Sequence, residues 1–235
     1  VTGSAPDNLN LLKLPPPPAA VEMWRVTPQI SAPQRPHRFP MLKGSANRVT
    51  TQPIDALFLD RWSSRAMSGE ALSDTELMPL FEAARWAPSC GNFQPWRFLY
   101  ARRDTDFWPA FLDLLNASNR SWAQRAGALV LVISRTHFDG DGRPCVTHSF
   151  DAGAAWQNLA LQAWISNLVA HGIAGFDAER ARRVLRVPAA YAVEAMIVLG
   201  KPGDPALLDD SQRKREAPSD RRSLAQSVCE GPFSL

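Results

Sequence analysis

The 235-residue chain is 45% hydrophobic and carries 26 Lys and Arg against 23 Asp and Glu, a formal net charge of +3. That length and apolar content allow one main domain with a full core and no disulfide or metal staple, and the slight cationic excess suits an anionic ligand but is far too weak to argue for nucleic acid. Three cysteines without C-x-x-C spacing (Cys90, Cys145, Cys229) fit a reducing, cytoplasmic compartment, and no apolar run reaches bilayer length, so a soluble protein with no membrane partner and no evident secretory signal is expected.

Residues 1–50 read as a proline-rich arm, with Pro15 to Pro18 in a row and little apolar periodicity. Leu9, Leu11, Leu12, Val21, Met23 and Trp24 favour an arm docked on the folded body over a free tail, and Met41 offers an internal start. The remainder, residues 51–235, forms the folded domain. Pro53 to Trp62 predicts a short helix with Ile54, Leu57 and Phe58 on one face, running into Arg61-Trp62-Ser63-Ser64-Arg65. Ser73-Asp74-Thr75-Glu76 is a capping box opening a helix that carries Leu77, Leu80, Phe81 and Ala84. A loop crowded with Pro, Gly and short polar residues, Ala87 to Pro95, leads into a strand from Trp96 to Ala101. Phe107, Phe111, Leu112 and Leu115 mark another helix, and Leu129 to Ile133 a buried strand.

Residues 135–148 read as loop. Asp139-Gly140-Asp141-Gly142 lacks the Gly and Glu of a calcium loop, and His137, Cys145 and His148 lack metal-ligand spacing. Asp151 to His171 reads as a long helix, apolar nearly all round, that stops at Gly172; Asp177 caps the next helix, and Val193 to Leu199 forms a third strand. The result is an α+β layered fold whose three strands make a thin sheet that a partner chain could complete.

No Ser–His–Asp order, G-x-S-x-G or H-E-x-x-H is present, and only four histidines exist. Three groups remain. Arg61, Ser63 and Arg65 alternate, so an extended segment projects them to one side, although a solvated helix end is an equally ordinary place for them. Ser89, Asn92 and Gln94 offer neutral hydrogen-bonding groups in a loop whose composition fits a plain turn as well as a site. His171 to Asp177 is glycine-rich, with backbone N–H groups available to a ligand. Arginines for a phosphate and amides for a heterocycle, with no catalytic side chain, point to an enzyme whose cofactor performs the chemistry.

These residues resemble the FMN-dependent nitroreductase family. Arg61 to Arg65 is similar to its R-x-S-x-R motif, Ala87 to Phe98 to its A-P-S-x-x-N-x-Q-P-W-x-F motif, Ala174 to Asp177 to its G-F-D turn, and Val193 to Gly200 to its last core strand; the resemblance spans residues 53 to about 230. It implies a three-layer fold, a mainly antiparallel sheet flanked by helices, in an intertwined homodimer with FMN at the subunit interface and exchanged C-terminal segments that supply the missing strand. By position, Arg61, Trp62 and Ser63, with Arg221 or Arg222, would surround the FMN phosphate. Arg65 would sit near the flavin pyrimidine, Pro88, Ser89 and Asn92 along the isoalloxazine, Asn119 at the pyrimidine edge, and Ile173, Ala174 and Gly175 over the ring. Electrons would pass from NAD(P)H to a nitroaromatic, quinone or similar small acceptor. Several relatives have glutamate in place of Ala174 and lysine in place of Trp122, and larger members have a longer 134–150 segment. The alternatives are a flavin oxidase or tailoring enzyme that does not use NAD(P)H, and a non-catalytic flavin-binding module. Cys90, with no activating cation nearby in sequence, reads as a small filler beside Gly91.

Overall fold

The computed structural model describes residues 39–234, so the expected arm lies outside the described residues up to position 38. Its four strands are β1 (Trp96–Arg102), β2 (Ala128–Arg135), β3 (Val169–Ile173) and β4 (Tyr191–Gly200). They form one antiparallel sheet in the order β1-β2-β4-β3, with a register irregularity between Val132 and Ile133.

Strand β2 dictates the layers. Along a strand, alternate side chains point to opposite faces. Leu129, Leu131 and Ile133 join Met67, Phe111, Leu114, Trp122 and Val198 on one face, whereas Val130 and Val132 join Leu77, Leu80, Leu159 and Ile197 on the other. Both faces are therefore dry, and both need helical cover. On the second face lie α2 (Asp74–Arg85) and α5 (His148–Ile165), whose alanines 152, 155, 160 and 163 permit close approach. The first face is covered by α3 (Trp108–Leu112) and α4 (Ala117–Ala123), with α6 (Ala178–Val184) beside β4. This is the expected three-layer α+β arrangement, and the Ser73–Glu76 capping box of α2 is formed.

Three expectations need correction. The helix read over Pro53 to Trp62 is only α1 (Ala56–Asp60), because Asp55 caps it by accepting from Leu57 N and the chain becomes extended at Arg61. The helix read over Phe107 to Leu115 is only α3 (Trp108–Leu112), and a further helix that was not expected follows it, α4, which Asn116 caps by accepting from Asn119 N. Most important, the helix read through His171 ends at Ile165. Asn167 adopts a left-handed conformation (φ 55°), a helix-terminating geometry that Asn tolerates, and residues 169–173 then pair with β4. This fourth strand comes from the chain itself rather than from an exchanged C-terminal segment.

Residues 39–50 lie against this body. Trp62 Nε1 donates to Leu42 O (2.8 Å), Ser45 N donates to Asp60 Oδ1 (3.0 Å), and a 3-10 turn, Gly44–Ala46, approaches the end of α1 so closely that a Cβ on Gly44 would lie 1.9 Å from Leu59 O. We expect Gly44→Ala to destabilise the fold by about 1–3 kcal/mol, seen as a lower urea midpoint with an unchanged slope.

Candidate functional site

The segment from Arg61 to Ala66 is extended, and its burial alternates: Trp62, Ser64 and Ala66 are buried, while Arg61, Ser63 and Arg65 are half-buried. The odd residues open into a cavity of about 500 Å³ lined also by Arg48, His171, Lys214, Arg215, Ser219 and Arg221. Six cationic side chains thus converge, and among the described residues none of them makes an ion pair. Burial first, and then the neighbouring Arg48 and Arg221, pull the Arg61 guanidinium below the usual arginine value. Burial and Arg215 do the same to Arg65, partly offset by Glu216. Like charges held together in a partly dry cavity repel, and an anion relieves that repulsion.

Backbone bonds hold the cations in place. Arg48 donates through Nη1 to Leu59 O (2.6 Å) and Arg61 O (3.0 Å), and through Nε to Ser219 O (2.8 Å), which ties the tail to the motif. Glu216 is buried beneath the motif. Its carboxylate accepts from Arg65 N and Ala66 N (3.0 Å each) and, in a very short bond, from the Ser64 hydroxyl. Its negative charge is spent on donors behind the strand, so the guanidiniums in front keep theirs.

A second cleft, about 440 Å³, lies between residues 113–116 and 174–177. Asn119 Nδ2 donates to Gly175 O (3.0 Å), and a Cβ on Gly175 would come within 2.5 Å of the Asn119 and Asn116 amides, so glycine is required there. Strand β3 and helix α4 carry residues of both regions: His171, in the cavity wall, is two residues before Ile173, the buried Trp122 is three after Asn119, and the His171 and Trp122 rings meet with centroids 4.8 Å apart. The Arg65 guanidinium lies 5.9 Å from the same indole centroid.

Arg61, Trp62, Ser63, Arg65 and Arg221 therefore line one cavity, and Ala174 and Gly175 line the second cleft; Asn119 bonds to Gly175 behind it, and Ile173 is buried and lines neither. Arg222 is exposed and lines neither. Pro88, Ser89 and Asn92 also line neither. Their loop sits at the start of α5, where Asp151 accepts from Cys90 N (3.2 Å), and Asn92 and Gln94 are both left-handed (φ 55° and 52°). Cys90 is exposed rather than a packed filler. Sequence reasoning missed Arg48 and Glu216, and it took His171 only as the start of a glycine-rich segment and not for its side chain; no local pattern marks these roles, since Glu216 meets residues about 150 positions away. Among the described residues no group of His, Cys, Asp or Glu is arranged to hold a metal ion, and no helix is long and apolar enough to cross a membrane.

A two-faced antiparallel sheet with a cationic cavity at its β3 edge defines the class: an α+β protein with a built anion-receiving site. The chain belongs to the nitroreductase family, whose model matches residues 59–201. It is similar to a solved structure described as an oxidoreductase containing FMN, at 44% identity over 80% of this chain and 96% of the other, with a TM-score of 0.78. It is also similar to a putative nitroreductase from Desulfovibrio desulfuricans solved in complex with FMN (28% identity, 79% and 100% coverage, TM-score 0.60). An NADH dehydrogenase from Thermus thermophilus is 28% identical over 62% of this chain and 85% of its own length.

Two expectations follow. Glu216→Ala removes the acceptor of the Ser64 hydroxyl and of Arg65 N and one of the two acceptors of Ala66 N, and should lower stability by about 3 kcal/mol, with faster tryptic cutting after Lys214 and Arg215; Glu216→Gln should lose less. Burial, reinforced by Arg65 and Arg61, pushes the His171 imidazole down to about 4 from an ordinary 6.5. Between those values the unfolded chain binds the proton and the folded chain does not, so stability is full above pH 6.5 and falls toward pH 4. Urea titrations across that range should show this loss, up to about 3 kcal/mol, and a His171→Asn variant should lack that part of the slope.

Proposed function

We propose that the protein is an FMN-dependent oxidoreductase that passes electrons from NAD(P)H to a nitroaromatic, quinone or similar small acceptor. The observation that carries this reading is the cavity in which Arg61, Arg65 and Arg221 face one another without a carboxylate partner. That donor set fits a phosphate monoester: guanidiniums match its oxygens in shape and charge, and the Ser63 hydroxyl adds a donor. Bound there, FMN supplies the redox chemistry, accepting hydride and releasing electrons to the second substrate.

The chain's own residues bind and orient the cofactor. Arg61, Ser63 and Arg221 hold the phosphate, and Arg65, set against Trp122, brings positive charge toward the ring system. Asn119 and the Ile173 to Gly175 backbone offer amide groups to the heterocycle. Pro88, Ser89 and Asn92 lie away from this cavity, which supports a homodimer in which one copy's loop completes the other copy's site. The exposed apolar side chains Val146 (89%) and Phe150 (81%) near the start of α5 support the same reading. The similarity to an NADH dehydrogenase supports a nicotinamide reductant.

The test is the visible spectrum of the purified protein under argon. It should show bound flavin that bleaches with NADH or NADPH, and it should reoxidise when a quinone is added. Flavin that stays oxidised would favour a reaction without NAD(P)H, and a protein that takes up no FMN would contradict the assignment. Arg61→Ala with Arg65→Ala should weaken FMN binding by about 10- to 100-fold; unchanged retention would sink the phosphate assignment.

A further inference from the structure

One wall residue of the cavity differs in kind from the cations around it. His171 lies on β3, is 8% exposed, and places Nδ1 3.0 Å from Ser64 O. A carbonyl oxygen only accepts, so Nδ1 carries the hydrogen, and in a neutral ring Nε2 then bears a lone pair. Protonating Nε2 would put a further charge beside Arg65 and Arg61 in a buried position, and the ring is kept neutral at ordinary pH.

The position of Nε2 follows from two facts. It makes no hydrogen bond within 3.5 Å among the described residues, although the Ser63 backbone also acts on the ring, and it is not a sealed polar atom: the one buried side-chain polar atom among them without a partner is Arg135 Nε. Because His171 lines the cavity, the lone pair opens into it. The contact with Trp122 and the Ser64 bond fix the ring's orientation. The rest of the wall presents mainly donors, from Arg48, Arg61, Arg65, Lys214, Arg215 and Arg221.

An acceptor among donors selects for a ligand that is not anionic throughout. A phosphate dianion offers no hydrogen to Nε2, and a lone pair facing its oxygens is unfavourable. A hydroxyl close to the phosphate satisfies both kinds of wall. We propose that His171 is a specificity-determining residue of the cavity, its Nε2 accepting a hydrogen bond from a hydroxyl on the ribityl chain of the bound flavin. This rests on the flavin reading above; the polyol chain joins the phosphate to the ring and so passes through the same cavity.

The experiment is a fluorescence titration of the deflavinated full-length chain with FMN, riboflavin and lumiflavin, the last lacking the ribityl chain. His171→Asn can still donate to Ser64 O but has no acceptor at the Nε2 position, whereas His171→Gln places an amide oxygen within reach of it. His171→Asn should weaken FMN and riboflavin by the same factor, about three- to tenfold. It should leave lumiflavin unchanged, and His171→Gln should recover most of the loss. Should His171→Asn fail to fold, His171→Met gives the same reading. Unchanged FMN and riboflavin affinities, or an equal loss with lumiflavin, would overturn the proposal while leaving the flavin reading intact. A wild-type protein that binds none of the three would overturn both.

Discussion

The constraint on which the site depends is electrostatic: several cations share one partly buried cavity with no carboxylate in front of them. Burial and the repulsion of neighbouring guanidiniums lower the pKa values of Arg48, Arg61 and Arg65, offset in part at Arg48 by Asp220 and Asp60 and at Arg65 by Glu216. A fold keeps such a cluster only if something else fixes the backbone that carries it. Here Arg48 spends its donors on three carbonyl oxygens, and Glu216 takes three donors from behind the motif strand. The Glu216 carboxylate is thereby withheld from the cavity, and that of Asp60 is bound by Ser45 N. The positive potential stays available to a ligand, and an anion that binds removes repulsion as well as making hydrogen bonds.

The sheet converts this local arrangement into a site. With β2 dry on both faces, β3 packs at the sheet edge, where His171 meets Trp122 of α4 and Asn119 of α4 bonds to Gly175 just beyond the strand. The arginine cavity and the Asn119–Gly175 cleft are separate openings, with the buried His171–Trp122 contact lying in the fold between the elements that carry them. The Pro88–Asn92 loop, built on left-handed residues and anchored to Asp151, belongs to another part of the protomer. That separation is what the homodimer reading accounts for.

Much of this was legible in the sequence where short-range periodicity governs. Alternation at Arg61, Ser63 and Arg65 follows from a two-residue repeat, and the buried β2 run and the Ser73–Glu76 cap are local signals that tertiary packing did not override. Strand β3 was not legible because the apolar pattern of α5 continues through Leu168 into Val169 and Ala170. Only Asn167, adopting a left-handed conformation, divides them. The same error hid the role of the His171 side chain, which reads as a helix end opening a glycine-rich segment until β3 turns it into a wall residue. Glu216 and Arg48 act through contacts with residues distant in the chain or through backbone carbonyls, and neither leaves a spacing signature.

The account's central claim is that the unpaired cations hold the phosphate of FMN. The most direct measurement compares the dissociation constants of FMN and riboflavin for the deflavinated protein at low and high salt. Two or three charge-assisted hydrogen bonds predict that FMN binds about 100-fold more tightly or better at low salt, with the gap narrowing as salt rises. Equal affinity for the two flavins at low salt would contradict the claim, because the phosphate would then contribute nothing.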